Sequence, residues 1–302
     1  MTLPPHEFTQ KRTNGIRGTV TQDAPLGAES WFGCGGTADL LFEPADETDL
    51  VQFLKNYKDE VLVIGGMANM IVRDGGIRGC VVRLGKPFSD ITVDGTKITA
   101  GAGALNGSVA AAAVKAGIGG LEFLSGIPGT VGGALRMNAG AYGNEVKNIL
   151  VYATAMNRQG AIQKFTATDM NMSYRHNAAS EDTIFIGATF QGIQEDYDTV
   201  KARLTEIKKK RNETQPIKEK TGGSTFANPE GHKAWQLVEK VGGRDLRIGG
   251  ASMSQLHLNF MLNDGTATAA DLEALGDELI VRVKDQCGID LHWEIKRVGV
   301  KS

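Results

Sequence analysis

The chain has 302 residues, 41% hydrophobic and 23% charged, with a formal net charge of −2 and a pI near 6.2. That is enough apolar material for a real core and for two or more lobes. The charge balance lacks the basic excess of a nucleic-acid binder, and neither a long apolar run nor an N-terminal apolar segment marks a membrane span or a secretory signal. Three cysteines, Cys34, Cys80 and Cys287, stand far apart with no CxxC pair. They predict buried thiols in a reducing compartment, with neither a metal site nor a disulfide framework.

Residues 1–26 are polar and punctuated by Pro and Gly, and read as an N-terminal arm. In "PADETDLVQFLKNYK", Leu50, Phe53, Leu54 and Tyr57 share one helical face and Asp46 suits the N-cap. "VLVIGG" (61–66) and "CVVRL" (80–84) are short apolar runs that predict buried strands. "ITVDGTKITAGAG" places two β-rich runs around Asp94-Gly95, a strong hairpin signal. "LNGSVAAAAVKAGIGG" predicts a small-residue helix ended at Gly117. Strand-like runs follow in "ILVYATAM", "AIQKFT" and "TIFIGATF".

From Tyr197 the texture changes. A charged helix runs to Arg211, with "KKKR" (208–211) as a solvated last turn favoured by the helix dipole. "NETQPIKEKTGGSTFANPEG" is loop-like, and "HLNFMLN" alternates. "TAADLEALGDELIVRVKDQCG" predicts a helix with a Thr268/Asp271 capping box, an apolar face of Leu272, Leu275, Leu279 and Val283, and a stop at Gly288. "LHWEIKRVG" predicts a final strand. These elements divide the chain into domains at 27–195, splitting near residue 90, and 196–302.

Three glycine-rich stretches invite a ligand. "GAGALNG" (101–107) nearly spells a dinucleotide fingerprint, with Glu122 about twenty residues on where a ribose-binding acid is expected. Its last glycine is one residue late, and the strand before it belongs to a hairpin. A strand-to-helix turn needing small residues is the better reading. "IGGMANMIV" (64–72) and "SGIPGTVGGALRMNAGAYG" (125–143) are better candidates, because successive backbone N–H groups in such turns form anion-binding concavities. No Gly-Lys-Ser/Thr follows either one. Spacing alone leaves phosphate loops and tight packing turns evenly balanced.

The stretch "LEFLSGIPGTVGGALRMNAGAYGNEV" resembles the signature of the UDP-N-acetylenolpyruvoylglucosamine reductases (MurB family), flavoenzymes of bacterial peptidoglycan precursor synthesis. "PLGAESWFGCGGTADLLFEP", "VLVIGGMANMIVRDGG", "YRHN", "GGSTFANP", "SQLHLNF" and "LHWEIKRVG" extend the likeness, in order, across nearly the whole chain. The modest length between Arg175 and Ser224 resembles the family's shorter class, which lacks an inserted loop. The resemblance implies an α+β chain. Its FAD-binding part has the fold shared with vanillyl-alcohol oxidase, two α+β subdomains, and a C-terminal α+β substrate domain follows. It also implies noncovalent FAD, NADPH as hydride donor, a small UDP-sugar substrate, a cytoplasmic location and no obligate protein partner. Gly65, Gly66, Met67, Ala68 and Asn69 would lie at the pyrophosphate, and Gly126, Ile127, Gly129, Thr130, Gly133 and Ala139 along the cofactor.

Reduction of an enolpyruvyl ether needs hydride at C3, a stabiliser for charge developing on the substrate carboxylate, and a proton at C2. The resemblance gives Arg175 the carboxylate and Ser224 the proton, and makes Glu294 the third catalytic residue. Asn228 and Tyr174 would hold substrate. Taken alone, Arg175 would read as a surface ion-pair residue, Ser224 as a turn serine, and Glu294 as the polar face of a strand. An always-charged planar fork suits a carboxylate. A carboxyl between Trp293 and Ile295 is expected to be partly desolvated, which suits an acid or a group that orients one. His257 and Asn259 read as structural hydrogen-bonders.

Four positions depart from the family pattern. Its turn reads Gly-x-Gly-Ser-Asn, where Met67 and Ala68 replace a glycine and a hydroxyl. Ala227 stands where lysine is common, and Asn177 where serine is. Two other functions compete: a different flavin enzyme of the same fold, and a paralogue that binds a nucleotide sugar without reducing it. The intact Arg175, Ser224 and Glu294 and the C-terminal segment argue against the first, Met67, Ala68 and Ala227 are the only support for the second, and flavin absorption bands in the purified protein separate the last from the others.

Overall fold

The computed structural model describes residues 15–302. The opening residues of the expected arm lie outside that range, and Thr19–Ala24 is a strand, not arm. With Val20 its one apolar strand former, this segment carries no alternation to announce it.

Two compact units emerge, and each takes segments from both halves of the sequence. The first runs through Thr21 and adds Leu40–Gly66 and Gly79–Lys209; the second comprises Gln22–Asp39, Met67–Arg78 and Lys210–Ser302. The expected division near residue 195 therefore takes a different course. The chain changes unit inside the long helix, and two early segments join the C-terminal unit.

In the first unit, Val61–Ile64 pairs in parallel with the strand ending at Arg83. It is the edge of a four-stranded sheet, to which Thr19–Ala24 and Ala38–Glu43 bring this unit's residues through Thr21 and from Leu40 on. The helix Glu47–Asn56 packs Leu50, Phe53 and Leu54 into the core of this sheet. Asp46 caps it by accepting the Asp49 N–H at 2.9 Å, as its sequence predicts. A five-stranded antiparallel sheet follows, in the order Ile162–Phe165, Leu150–Met156, Ile184–Gln191, Lys97–Gly101, Ile91–Asp94. Gly95 and Thr96 make the hairpin turn between the paired residues Asp94 and Lys97, one residue on from the expected Asp94-Gly95 pair, with Gly95 at φ +55. The helix Asn106–Lys115 lays Val109, Ala110 and Ala113 against this layer's core. Its small side chains let Leu121, Leu124 and Val131 approach closely. Glu122, the decoy acid, is buried and accepts from Arg203 at 2.7 Å and from Gly120 N–H at 2.8 Å. It is a structural ion-pair residue.

In the second unit, Met70–Val72 pairs in parallel with Lys296–Val298. The helix Ala269–Cys287 begins with the Thr268/Asp271 capping box and stops at Gly288 in the left-handed conformation, φ 70. Leu272, Leu275, Leu279 and Val283 face a core shared with Phe226, Leu237, Met253 and Met261.

Several elements are shorter or longer than the sequence suggests. The charged helix spans Tyr197–Thr214, because nothing breaks it until Gln215 precedes Pro216. Of "HLNFMLN" only Met261–Asn263 is strand, since His257 and Asn259 turn the chain, with Phe260 N–H donating to the His257 carbonyl at 2.9 Å. The last strand is Lys296–Val298, so Glu294 precedes it. Cys80 is buried, its thiol pushed up to about 12 by desolvation, whereas Cys34 and Cys287 are only partly covered. All three are free thiols.

Candidate functional site

Within the first unit the glycine-rich stretches meet backbone to backbone. A β-carbon at Gly66 would lie 3.1 Å from Gly129 Cα, and one at Gly65 would collide with Thr130 Oγ1. Asn106 joins the same assembly, its N–H donating to the Gly129 carbonyl at 3.1 Å. Val131 N–H and Gly132 N–H bond the carbonyls of Ala104 and Ala102. These segments wall a cavity of about 420 Å³, lined among others by Gly65, Gly66, Lys86, Gly103, Leu105 and Thr130. "GAGALNG" is thus a strand-to-helix turn, as its register suggests, and also a wall that the sequence reading missed. A hydrophobic strand followed by Gly-Ala-Gly before a helix is the signal that could have found it.

Thr130 lines this cavity with a buried hydroxyl that has no hydrogen-bond partner. A buried polar atom without a partner is costly, so a ligand that bonds it recovers that cost. Glycines that leave no room for a β-carbon, backbone amides at a strand end and this hydroxyl fit a phosphate-bearing cofactor. Gly126 differs from its neighbours. A β-carbon there would sit 2.5 Å from the Tyr142 ring, so its glycine serves packing inside the stretch. Ile127 and Ala139 pack on the core, and a β-carbon built on Gly133 would meet Thr130 Oγ1 at 3.9 Å, an ordinary contact.

Arg175 sits at φ +53, with Tyr174 at the tip of a turn closed by reciprocal Ser173 and His176 backbone bonds of 3.1 and 3.0 Å. A non-glycine residue in this region is uncommon and stores about 1–3 kcal/mol, which surrounding contacts must offset. Those contacts are present. Arg175 Nη2 donates to the Gly140 carbonyl at 3.0 Å, and its guanidinium lies 5.1 Å from the Tyr174 ring centre. Asn138, fully buried at φ +40, donates to the Ser173 carbonyl at 2.8 Å and accepts the Lys147 N–H at 2.9 Å. Asn177, the departure from serine, donates to the Leu135 carbonyl at 2.9 Å. Asn138 was not singled out from sequence. Its motif "MNAGAYG" holds the clue, since Asn tolerates the left-handed region.

Within the second unit, residues 224–227 lie between two segments. On one side Thr225 N–H donates to the Asn259 carbonyl at 2.7 Å, and Asn259 bonds both polar groups of the Phe226 backbone, at 3.0 and 2.8 Å. On the other side Glu294 N–H donates to the Thr225 carbonyl at 2.8 Å, and Ala227 N–H to the His292 carbonyl at 3.0 Å. Ser224 and half-buried Glu294 are therefore brought onto neighbouring segments. Thr225 Oγ1 accepts the Met261 N–H at 3.2 Å, whereas the Ser224 hydroxyl makes no hydrogen bond among the described residues. His257 Nδ1 accepts the Asn259 N–H at 3.2 Å, a structural bond of the kind expected. Asn228 Oδ1 accepts the Ala234 N–H at 2.9 Å and so starts the helix Ala234–Lys240.

Met67 keeps φ +47 while its side chain is buried. The left-handed turn that a glycine would adopt freely survives its replacement. Ala68 is buried beside it, and Asn69 Nδ2 donates to the Glu294 carbonyl at 3.1 Å.

Comparisons with known proteins agree with these features. Residues 38–166 match the FAD binding domain, and residues 215–298 the UDP-N-acetylenolpyruvoylglucosamine reductase C-terminal domain. The UDP-N-acetylenolpyruvoylglucosamine reductase of Parvibaculum lavamentivorans is 49% identical over 95% of this chain and 93% of its own length. That of Azorhizobium caulinodans is 52% identical over 95% and 94%. The crystal structure of UDP-N-acetylenolpyruvylglucosamine reductase (MurB) from Thermus caldophilus superposes with a TM-score of 0.81 at 29% identity, over 94% of this chain and all of that one. Fold and matched domains define an FAD-dependent oxidoreductase of mixed α and β content. The chain belongs to the UDP-N-acetylenolpyruvoylglucosamine reductase family, which uses FAD and NADPH in peptidoglycan synthesis.

Proposed function

We propose how this chain's residues share the reduction of UDP-N-acetylglucosamine enolpyruvate to UDP-N-acetylmuramate. The observation that carries the reading is the pairing of residues 224–227 with 292–295, which leaves the Ser224 hydroxyl open while Thr225's is taken. FAD, when bound, supplies the two-electron relay between NADPH and the substrate. The cavity walled by Gly65, Gly66, Gly103 and Thr130 takes its nucleotide end, with backbone amides and the Thr130 hydroxyl as donors.

Arg175 holds the substrate carboxylate through its planar fork and lowers the energy of charge developing there. Ser224 Oγ delivers the proton to C2. A serine hydroxyl is a weak acid, so Glu294 on the neighbouring segment orients and replenishes it. Tyr174 and the Asn228 amide contact the substrate. No helix among the described residues is long and apolar enough to cross a membrane. We place the enzyme in the bacterial cytoplasm, working on small molecules without an obligate protein partner.

The test is Ser224→Ala, followed by stopped-flow absorbance at the flavin band. Flavin reduction by NADPH should hold its rate, because that half needs no proton at C2. Reoxidation by the enolpyruvyl substrate should slow by about 10²–10⁴-fold. Equal slowing of both halves would assign Ser224 to the fold or the cofactor instead.

A further inference from the structure

Asn69 belongs to the turn that the family resemblance assigns to the cofactor pyrophosphate, yet its side-chain amide and its carbonyl both bond the C-terminal segment. Its Nδ2 donates to the Glu294 carbonyl at 3.1 Å, and its own carbonyl accepts the Lys296 N–H at 3.1 Å. These two bonds grip the segment on either side of Ile295, whose side chain is buried in the core. The Glu294 N–H, in turn, donates to the Thr225 carbonyl at 2.8 Å. The backbone of Glu294 is thus held at both ends, by the residue after Ser224 and by the cofactor turn. A phosphate offers only acceptors, so the Asn69 Oδ1 has nothing to give it, and one of the two amide hydrogens is already spent on Glu294.

We infer that Asn69 is a positioning residue for Glu294 rather than a ligand of the cofactor pyrophosphate. The inference rests on the reading of Glu294 given above. It makes the turn Gly66–Asn69 bifunctional. The backbone at its start shapes the cofactor cradle, and the side chain at its end fixes the height and direction of the carboxyl behind the proton donor. A carboxyl whose own backbone is pinned at both its N–H and its carbonyl has fewer ways to swing away from the hydroxyl it must orient, and catalytic geometry tolerates little looseness.

The experiment uses holoenzyme of Asn69→Ala and of Asn69→Leu, the latter keeping side-chain volume so that the result does not hang on a cavity. FAD dissociation, flavin reduction by NADPH and reoxidation by the enolpyruvyl substrate are measured across pH. A second set adds Glu294→Gln and the Asn69→Ala/Glu294→Gln double variant. Loss of one hydrogen bond should slow reoxidation about 2–10-fold and displace its pH profile, with FAD affinity and flavin reduction within about twofold of the parent. The double variant should be no slower than Glu294→Gln alone, since the positioned group is already gone. FAD affinity falling tenfold or more in both Asn69 variants would make Asn69 a cofactor ligand and overturn the inference. Full-speed reoxidation in the Asn69 variants, with Glu294→Gln slow, would overturn it alone. Full-speed reoxidation in Glu294→Gln would overturn the reading of Glu294 first and the inference with it.

Discussion

Trp293 occupies the space in which residue 276 would carry a β-carbon. Built on Gly276, that atom would fall inside the van der Waals shells of Trp293 Cζ2 and Cη2. Gly276 lies mid-helix in Ala269–Cys287, where alanine normally stabilises by about 0.5–1 kcal/mol. Here the overlap is with a rigid ring that is also held by Asp277, which accepts the Trp293 Nε1–H at 3.0 Å, and by Phe226 at 5.6 Å between centroids. The sign therefore reverses. Gly276→Ala should destabilise by about 1–3 kcal/mol. Urea unfolding measures it, and adding Trp293→Phe should recover part of the loss. A variant as stable as the parent would show that the indole moves aside freely.

Thr130→Val gives opposite signs in two measurements. Removing a buried hydroxyl that has no partner should leave the apoprotein equally or more stable. If that hydroxyl bonds the cofactor, FAD binding should weaken about 2–13-fold, the equivalent of about 0.5–1.5 kcal/mol. Thermal unfolding of apoprotein and flavin fluorescence quenching report the two effects. Unchanged affinity would leave the cavity without its polar anchor.

Arg175→Lys keeps the charge and loses the fork. Lysine cannot both hold the Gly140 carbonyl and face a carboxylate side-on. Losing hydrogen bonds to a charged group costs about 1.5–3 kcal/mol, so kcat/KM for the enolpyruvyl substrate should drop about 10–150-fold. Flavin content and flavin reduction by NADPH should be unaffected. Turnover within twofold of the parent would return Arg175 to a role in the turn alone.

Burial holds the His257 imidazole below its ordinary value near 6.5, and its Nδ1 accepts a backbone N–H, which only the neutral ring can do. The folded chain thus binds this proton less readily than the unfolded chain does. Its contribution is present above about pH 6.5 and is lost as pH falls through the lower folded value. The urea midpoint of the parent should fall more steeply between pH 7 and 5 than that of His257→Gln, whose side chain does not titrate. Parallel profiles would remove His257 from the acid response.

What was legible in the sequence follows from range. Capping at Asp46 and Thr268, the hairpin at Gly95 and the Gly288 stop are settled by residues within one turn of each other, so local pattern sufficed. The strand Thr19–Ala24 and the two interleaved units depend on partners far along the chain, and no local period encodes them. The extended reading of "LHWEIKRVG" failed at Glu294 for the same reason, because Thr225 takes both the Glu294 and Ile295 N–H groups. At the candidate site, resemblance named Arg175, Ser224 and Glu294, but not what holds them. Asn138, Asn259 and Asn69 act through backbone carbonyls and amides, contacts that leave no mark in residue spacing. Gly126 and Gly66 look alike in sequence, and only the Tyr142 ring over one and Gly129 beside the other tell them apart.

The parallel pairing of Met70–Val72 with Lys296–Val298 sets an order of events during synthesis. Asn69 and Glu294 stand 225 residues apart. At about 5–20 residues per second the ribosome makes the early segment wait roughly 10–45 s for its partner. Closing so long a loop carries a large entropic toll and makes the step slow. Until then Ile71 and Val72, fully covered in the finished protein, have no neighbour strand. The nascent chain therefore passes through a stage in which the first unit has most of its residues while an apolar edge stands open. That edge is where a chaperone would bind, or where two growing chains would stick.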